Sequence, residues 1–98
     1  MDAGGTGWQR LDAWLWCARL FKSRADCARL IEEGHVRLNR QPTDKPHARL
    51  LEGDVLTFPL GPRVIVWRVA ALADRRGPPA EARLLYEDLS DPTDGAHG

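Results

Sequence analysis

Two short helical patterns, joined by about three residues, constrain the fold of this 98-residue chain more than any other feature. In the first pattern the apolar residues recur at i, i+3, i+4 and i+7: Leu11, Trp14, Leu15 and Ala18. This spacing predicts a helix over residues 11–19 with one buried face. The second helix begins after Ser23, which can cap helical amides, and ends at Gly34, which tolerates a left-handed backbone. So short a connection predicts that the two helices pack as a tight pair.

Beyond the second helix, the apolar period changes from that of a helix to that of a strand. Apolar and polar side chains alternate over residues 36–39, as in a strand with one buried face. Asn39 and Arg40 then form a turn candidate. The two most strand-like runs are residues 55–58 and 63–69. The middle of the chain is therefore predicted to form a small antiparallel sheet.

The last apolar pattern predicts a short closing helix over residues 80–89, because apolar side chains recur there at helical spacing after Pro78 and Pro79. The predicted fold class is α+β, with the helical pair packed on the sheet and this short C-terminal helix. We expect four segments: a disordered N-terminus (1–7), a main domain (8–72), a closing turn and helix (73–89) and a disordered acidic tail (90–98).

The charges of the chain cancel overall but are unevenly distributed. Between residues 8 and 50, nine Lys or Arg face five acids, whereas from residue 51 onward five Arg face eight acids. An anionic partner is expected to bind the basic half. Basic residues also gather at the predicted start of the second helix, where phosphate binding is favourable, so nucleic acid is the leading candidate.

The residue types that carry catalysis and metal binding do not form a recognisable constellation. Cys17 and Cys27 lack the paired spacing of a zinc site, and His35 and His47 have no carboxylate or thiol spaced as a co-ligand. We predict a noncatalytic protein without a metal or other cofactor. No long apolar run and no signal-peptide pattern occur, which predicts cytoplasmic residence and no membrane partner.

A specific set of residues runs through these predicted elements. Its members are Arg10-Leu11-Asp12, Leu15-Trp16, Arg19, Lys22-Ser23-Arg24, Ala28, Leu30-Ile31, Gly34 through Asn39, Lys45-Pro46 and Gly53-Asp54. Together they resemble the alpha-L RNA-binding domain of the ribosomal protein S-four type. Within that superfamily the chain resembles the heat shock protein fifteen family, through Leu15-Trp16 and the segments at residues 75–78 and 85–87. The likeness spans about residues 9–88.

The resemblance implies a bacterial, cytoplasmic protein of the stress response that binds structured RNA, with ribosomal RNA or the large ribosomal subunit as partner. We expect it to act as a monomer. By matching position, the implied RNA-binding residues are Arg10, Arg19, Lys22, Ser23, Arg24, Arg37, Asn39 and Lys45. The chain departs from the family pattern at Ala13, where lysine is common, and at Arg40, where glycine is usual.

Three other functions fit parts of the same pattern. A DNA-binding helix-turn-helix also has two short helices, but here the second helix ends in Glu32 and Glu33, which would face DNA phosphates. The chain could also be the RNA-targeting subunit of a separate modifying enzyme, or a module that binds an acidic protein.

Trp16 lies off the apolar stripe, so it either stacks on a nucleotide base or covers a core edge.

Overall fold

The first helix begins directly after a two-residue strand. In the computed structural model, which describes residues 7–90, β1 (Gln9–Arg10) leads into α1 (Leu11–Cys17). The helix ends two residues earlier than predicted, because Arg19 adopts a left-handed backbone with φ of 64°. The amides of Arg19 and Leu20 donate back to the carbonyls of Trp16 and Leu15, which closes the helix.

The second helix, α2 (Arg24–Glu32), lies between the two predicted boundary residues, Ser23 and Gly34. Ser23 precedes it as an N-cap, and its Oγ accepts hydrogen bonds from the amides of Ala25 and Asp26. At the other end, Gly34 has φ of 80° and its amide donates to the carbonyl of Ile31. Within residues 7–90, no helix is long and apolar enough to cross a membrane.

The helical pair packs on an antiparallel sheet of five strands. The strands are β2 (Val36–Leu38), β3 (Gln41–Thr43), β5 (Val55–Leu60), β6 (Arg63–Val69) and β7 (Tyr86–Asp88), in the spatial order β3-β2-β5-β6-β7. A second, two-stranded sheet pairs β1 with β4 (Arg49–Leu50). Asn39 and Arg40, with φ of 52° and 73°, form the two-residue connection between β2 and β3. The predicted α+β fold is confirmed.

The core lies between the two helices and the inner face of the sheet. Its fully buried side chains include Leu11, Trp14, Leu15, Cys27, Ile31, Val36, Leu50, Leu56 and Phe58. The Trp14 ring meets the Trp67 ring edge to face, with 6.3 Å between centroids, and its Nε1 donates to the carbonyl of Ala71 at 2.9 Å. Trp14 thereby joins α1 to β6 and to the segment that follows β6.

The predicted closing helix over residues 80–89 is wrong in extent. Only α3 (Pro79–Ala82) and a 3₁₀ turn (Arg83–Leu85) are helical, and β7 follows them. The physical reason is the open edge of β6, whose backbone groups β7 satisfies in an antiparallel ladder. The Tyr86 ring also stacks on Trp67 with 3.8 Å between centroids. These pairings are nonlocal and override the helical spacing.

The expected disorder at the two ends falls mostly outside the described residues, since residues 1–6 and 91–98 are not described. Gly7 and Ser90 are described. Ser90 Oγ accepts a hydrogen bond from the amide of Val66 at 2.8 Å, next to the edge of the sheet. The four expected segments remain a prediction.

Removing the Tyr86 ring tests whether β7 is part of the folded unit. The Tyr86→Ala variant loses the stacking on Trp67, and we expect the free energy of unfolding to fall by about 2 to 3 kcal/mol. Tyr86→Phe keeps the ring and should lie within about 1 kcal/mol of the parent. Chemical denaturation followed by tryptophan fluorescence measures both. Equal stability of the alanine variant and the parent would contradict this role of Tyr86.

Candidate nucleic-acid interface

A buried carboxylate gathers two arginines beside the start of α2. Asp12 is only 4% exposed, and its carboxylate accepts two hydrogen bonds of 3.1 Å from Nε and Nη2 of Arg10. Arg24 Nη2 donates to the same carboxylate at 3.4 Å. The side chains of Arg10 and Arg24 are 49% and 47% exposed, so both reach solvent. Asp12 therefore holds two guanidinium groups at one place on the surface, with one positive charge in excess.

The position of Asp12 follows from how α1 begins. The amide of Asp12 donates to the carbonyl of Pro46 at 3.0 Å, and the amide of Leu11 donates to the carbonyl of Ala48 at 2.9 Å. A carboxylate in the first turn is also favoured by the helix dipole. The same contacts attach the loop of residues 44–48 to the helical pair. Lys45 extends from this loop, with its Nζ 4.0 Å from the Asp44 carboxylate.

The start of α2 is partly occupied by its own cap. Because Ser23 Oγ accepts hydrogen bonds from Ala25 and Asp26 at 3.0 and 3.3 Å, these amides are not available to a phosphate. An anion at this end of the helix would be held by side chains instead. Lys22 is exposed, and its ammonium group has no hydrogen-bond or ion-pair partner within residues 7–90.

The other predicted site residues divide into those with available side chains and those used by the fold. Arg37 is exposed on β2, and its guanidinium has no partner within the described residues. Arg19 donates from Nε to the carbonyl of Gly77 at 2.8 Å. Asn39 donates to the Asp54 carboxylate at 3.0 Å and accepts from the amide of Val55 at 2.9 Å. The structure thus gives the Asn39 side chain a role in the turn.

Arg76 is a residue of this region that the sequence analysis did not single out. Its guanidinium lies 5.3 Å from the centre of the Trp16 ring and donates to the carbonyls of Trp16 and Phe21. These Arg76 contacts and the hydrogen bond from Arg19 to Gly77 together hold residues 76–77 against the connection between the helices. The one sequence signal for Arg76 was its position in residues 75–78, a segment that carries the family resemblance.

The surroundings of Trp16 favour one of its two interpretations. Arg76 covers one face of its ring, and its Nε1 donates to the carbonyl of Lys22 at 3.2 Å. The ring is partly buried and packs against the core. Trp16 therefore covers a core edge and supports the backbone at Lys22, instead of offering both faces to a base.

The two cysteines, Cys17 and Cys27, are buried free thiols. Burial raises the pKa of the Cys27 thiol to about 11, and burial likewise raises the pKa of the Cys17 thiol. Both thiols are consequently protonated at neutral pH and are poor nucleophiles. Within residues 7–90, no group of three or more His, Cys, Asp or Glu side chains is arranged to hold a metal ion.

The helical pair and the basic residues around Asp12 lie within residues 9–56, the segment that matches the S4 domain model. This match covers about half of the chain and, with the relatives described next, supports an RNA-binding family. The particular relatives are heat shock proteins. The chain is 39% identical over 82 residues to heat shock protein 15 of Escherichia coli strain K12, covering 84% of this chain and 61% of that protein. The predicted family resemblance is confirmed.

Two further comparisons agree. The heat shock protein 15 homolog of Haemophilus influenzae is 36% identical over 80 residues, which cover 81% of this chain and 60% of the homolog. A trimeric structure of Vibrio cholerae heat shock protein 15 matches with a TM-score of 0.80 and 29% identity, covering 92% of this chain and 88% of that one. The chain spans about 60% of the length of the curated relatives that it matches.

The bridge made by Asp12 can be tested by removing its charge. Asp12→Asn leaves two half-exposed guanidinium groups without their carboxylate, and we expect the free energy of unfolding to fall by about 1 kcal/mol. Asp26→Asn is the matched control, because its exposed carboxylate pairs with a single side chain of the described residues, that of Arg29, and its effect should stay below about 0.5 kcal/mol. Urea denaturation of both variants gives the comparison. Equal effects would show that the bridge adds no stability.

Proposed function

We propose that this chain is a noncatalytic RNA-binding protein that recognises structured RNA through the basic surface of its helical pair. The proposed partner is ribosomal RNA or the large ribosomal subunit. One observation carries the proposal: Asp12 holds Arg10 and Arg24 together at the start of α2, and the exposed Lys22 lies two residues before Arg24. The match of residues 9–56 to the S4 domain model supports the choice of RNA as the ligand.

The physical chemistry of the site favours contact with the RNA backbone. A guanidinium group is a planar fork of donors that matches the oxygens of a phosphate, and an ammonium group adds a compact charge. Because Asp12 already orders Arg10 and Arg24, less side-chain entropy is lost when a phosphate binds. Such contacts position a protein on folded RNA by shape and do not read base sequence.

The proposed setting is the bacterial cytoplasm, where the chain would associate with ribosomes under stress. The named relatives are heat shock proteins, which supports this setting. No catalytic step is proposed. The alternative roles as a DNA-binding protein or as the targeting subunit of a modifying enzyme lack a structural observation in their favour.

Charge-neutral variants of the two basic residues at the helix start test the proposal. Lys22→Gln combined with Arg24→Gln should weaken binding to a fluorescent ribosomal RNA fragment by about tenfold at low salt. The slope of log affinity against log salt should also fall by about 1.4 to 1.8 units, because two phosphate contacts are lost. Fluorescence anisotropy at several salt concentrations measures both quantities.

The matched control for this experiment is Arg63→Gln combined with Arg83→Gln. These arginines are exposed, have no partner within the described residues, and lie outside residues 9–56. The control removes the same total charge and should retain most of the RNA affinity. Equal losses in the two double variants would contradict the proposed site. Stronger binding of duplex DNA than of folded RNA would contradict RNA as the partner.

We further propose that the chain acts as a monomer, whereas the Vibrio cholerae protein named above is trimeric in its structure. The large apolar side chains exposed within residues 7–90 are distributed over several elements, which supports a monomer. Light scattering should give a mass near 11.0 kDa. A mass three times larger would contradict this part of the proposal.

A further inference from the structure

Three residues other than glycine adopt a left-handed backbone within the described part of the chain. They are Arg19, Asn39 and Arg40, with φ of 64°, 52° and 73°. This conformation is unfavourable for a residue with a Cβ atom, and least so for asparagine. Each of the two arginines therefore needs a physical reason for its place.

Contacts within the fold explain the left-handed backbone of Arg19 and of Asn39. Arg19 closes α1, and its Nε donates to the carbonyl of Gly77 at 2.8 Å. Asn39 forms two side-chain hydrogen bonds, to the Asp54 carboxylate and from the amide of Val55. Arg40 differs, because its exposed guanidinium has no hydrogen-bond, ion-pair or ring contact within residues 7–90. The Arg40 side chain therefore makes no contact within the described residues that offsets its left-handed backbone.

The hairpin presents Arg40 from a rigid support. The turn connects Leu38 and Gln41, which are paired across β2 and β3, and both turn residues have positive φ, as in a type I′ turn. Glycine is the favoured second residue of such a turn. Asn39 also donates its backbone amide to the carbonyl of Val55 at 2.8 Å, which fixes the turn to the start of β5.

We propose that Arg40 contacts a phosphate of the RNA and extends the interface from the helix start onto the β2–β3 hairpin. This inference rests on the proposed function. Strained backbone conformations held by the surrounding structure cluster at functional positions. Arg37, also exposed and without a partner in the described residues, lies three residues earlier on β2. The Cα atoms of the two arginines are at most about 11 Å apart, so both can contact one stretch of RNA backbone.

The test uses the fact that Arg40→Gly removes strain and charge together. The melting temperature should rise by a few degrees, because glycine adopts the left-handed backbone without cost. RNA affinity should fall at least about threefold at low salt, and the salt slope should fall by about 0.7 to 0.9 units. Since this variant is more stable than the parent, unfolding cannot explain the loss of affinity. Arg40→Lys keeps the charge and should retain the salt slope.

Arg63→Gln is the control for nonspecific loss of charge. Arg63 is exposed without a partner in the described residues, and it pairs with Leu60, at the far end of β5 from the Asn39 contact with Val55. An unchanged affinity and salt slope in Arg40→Gly would overturn this inference if the Lys22 and Arg24 double variant still loses binding. An equal loss in Arg63→Gln would also overturn it. Failure of the parent protein to bind RNA would instead overturn the proposed function.

Discussion

The position of the proposed interface depends on the packing of one side chain, Trp14. The ring is fully buried between the helical pair and the sheet, where its edge-to-face contact with Trp67 sets how α1 lies on β6. Its hydrogen bond to Ala71 also attaches the chain that leaves β6. The Tyr86 ring, stacked on Trp67, extends the aromatic contacts to the edge strand. This arrangement fixes α1, and α1 in turn carries Asp12.

The helices and the central strands could be predicted from the sequence because their signals are local. The spacing of the apolar residues predicts α1. The boundaries of α2 follow from Ser23 and Gly34, and the alternation after Gly34 indicates β2. β7 could not be predicted in this way, because apolar residues over 82–89 fit a helical period equally well. These residues form a strand because they pair with β6, which lies more than fifteen residues earlier in the chain.

The residues of the proposed interface could be named from the sequence, but their contacts could not. Family resemblance named eight residues, but it could not tell which side chains the fold uses for itself. Asn39 holds the hairpin turn and Arg19 binds a carbonyl, whereas Lys22 has no partner in the described residues. The carboxylate of Asp12 brings together two arginines separated by fourteen positions in the sequence. Only the packed structure places these groups side by side.

The match to the S4 domain ends at residue 56, within β5, and this boundary does not coincide with that of the core. Phe58, Ile65, Trp67 and Val69 are buried beyond it, and Arg76 fastens the connection between the helices from further still. Residues 9–56, which hold the predicted basic site residues, are thus too few to bury their own apolar face. A minimal fragment cut at the family boundary would retain the proposed binding residues and lose the scaffold that orients them.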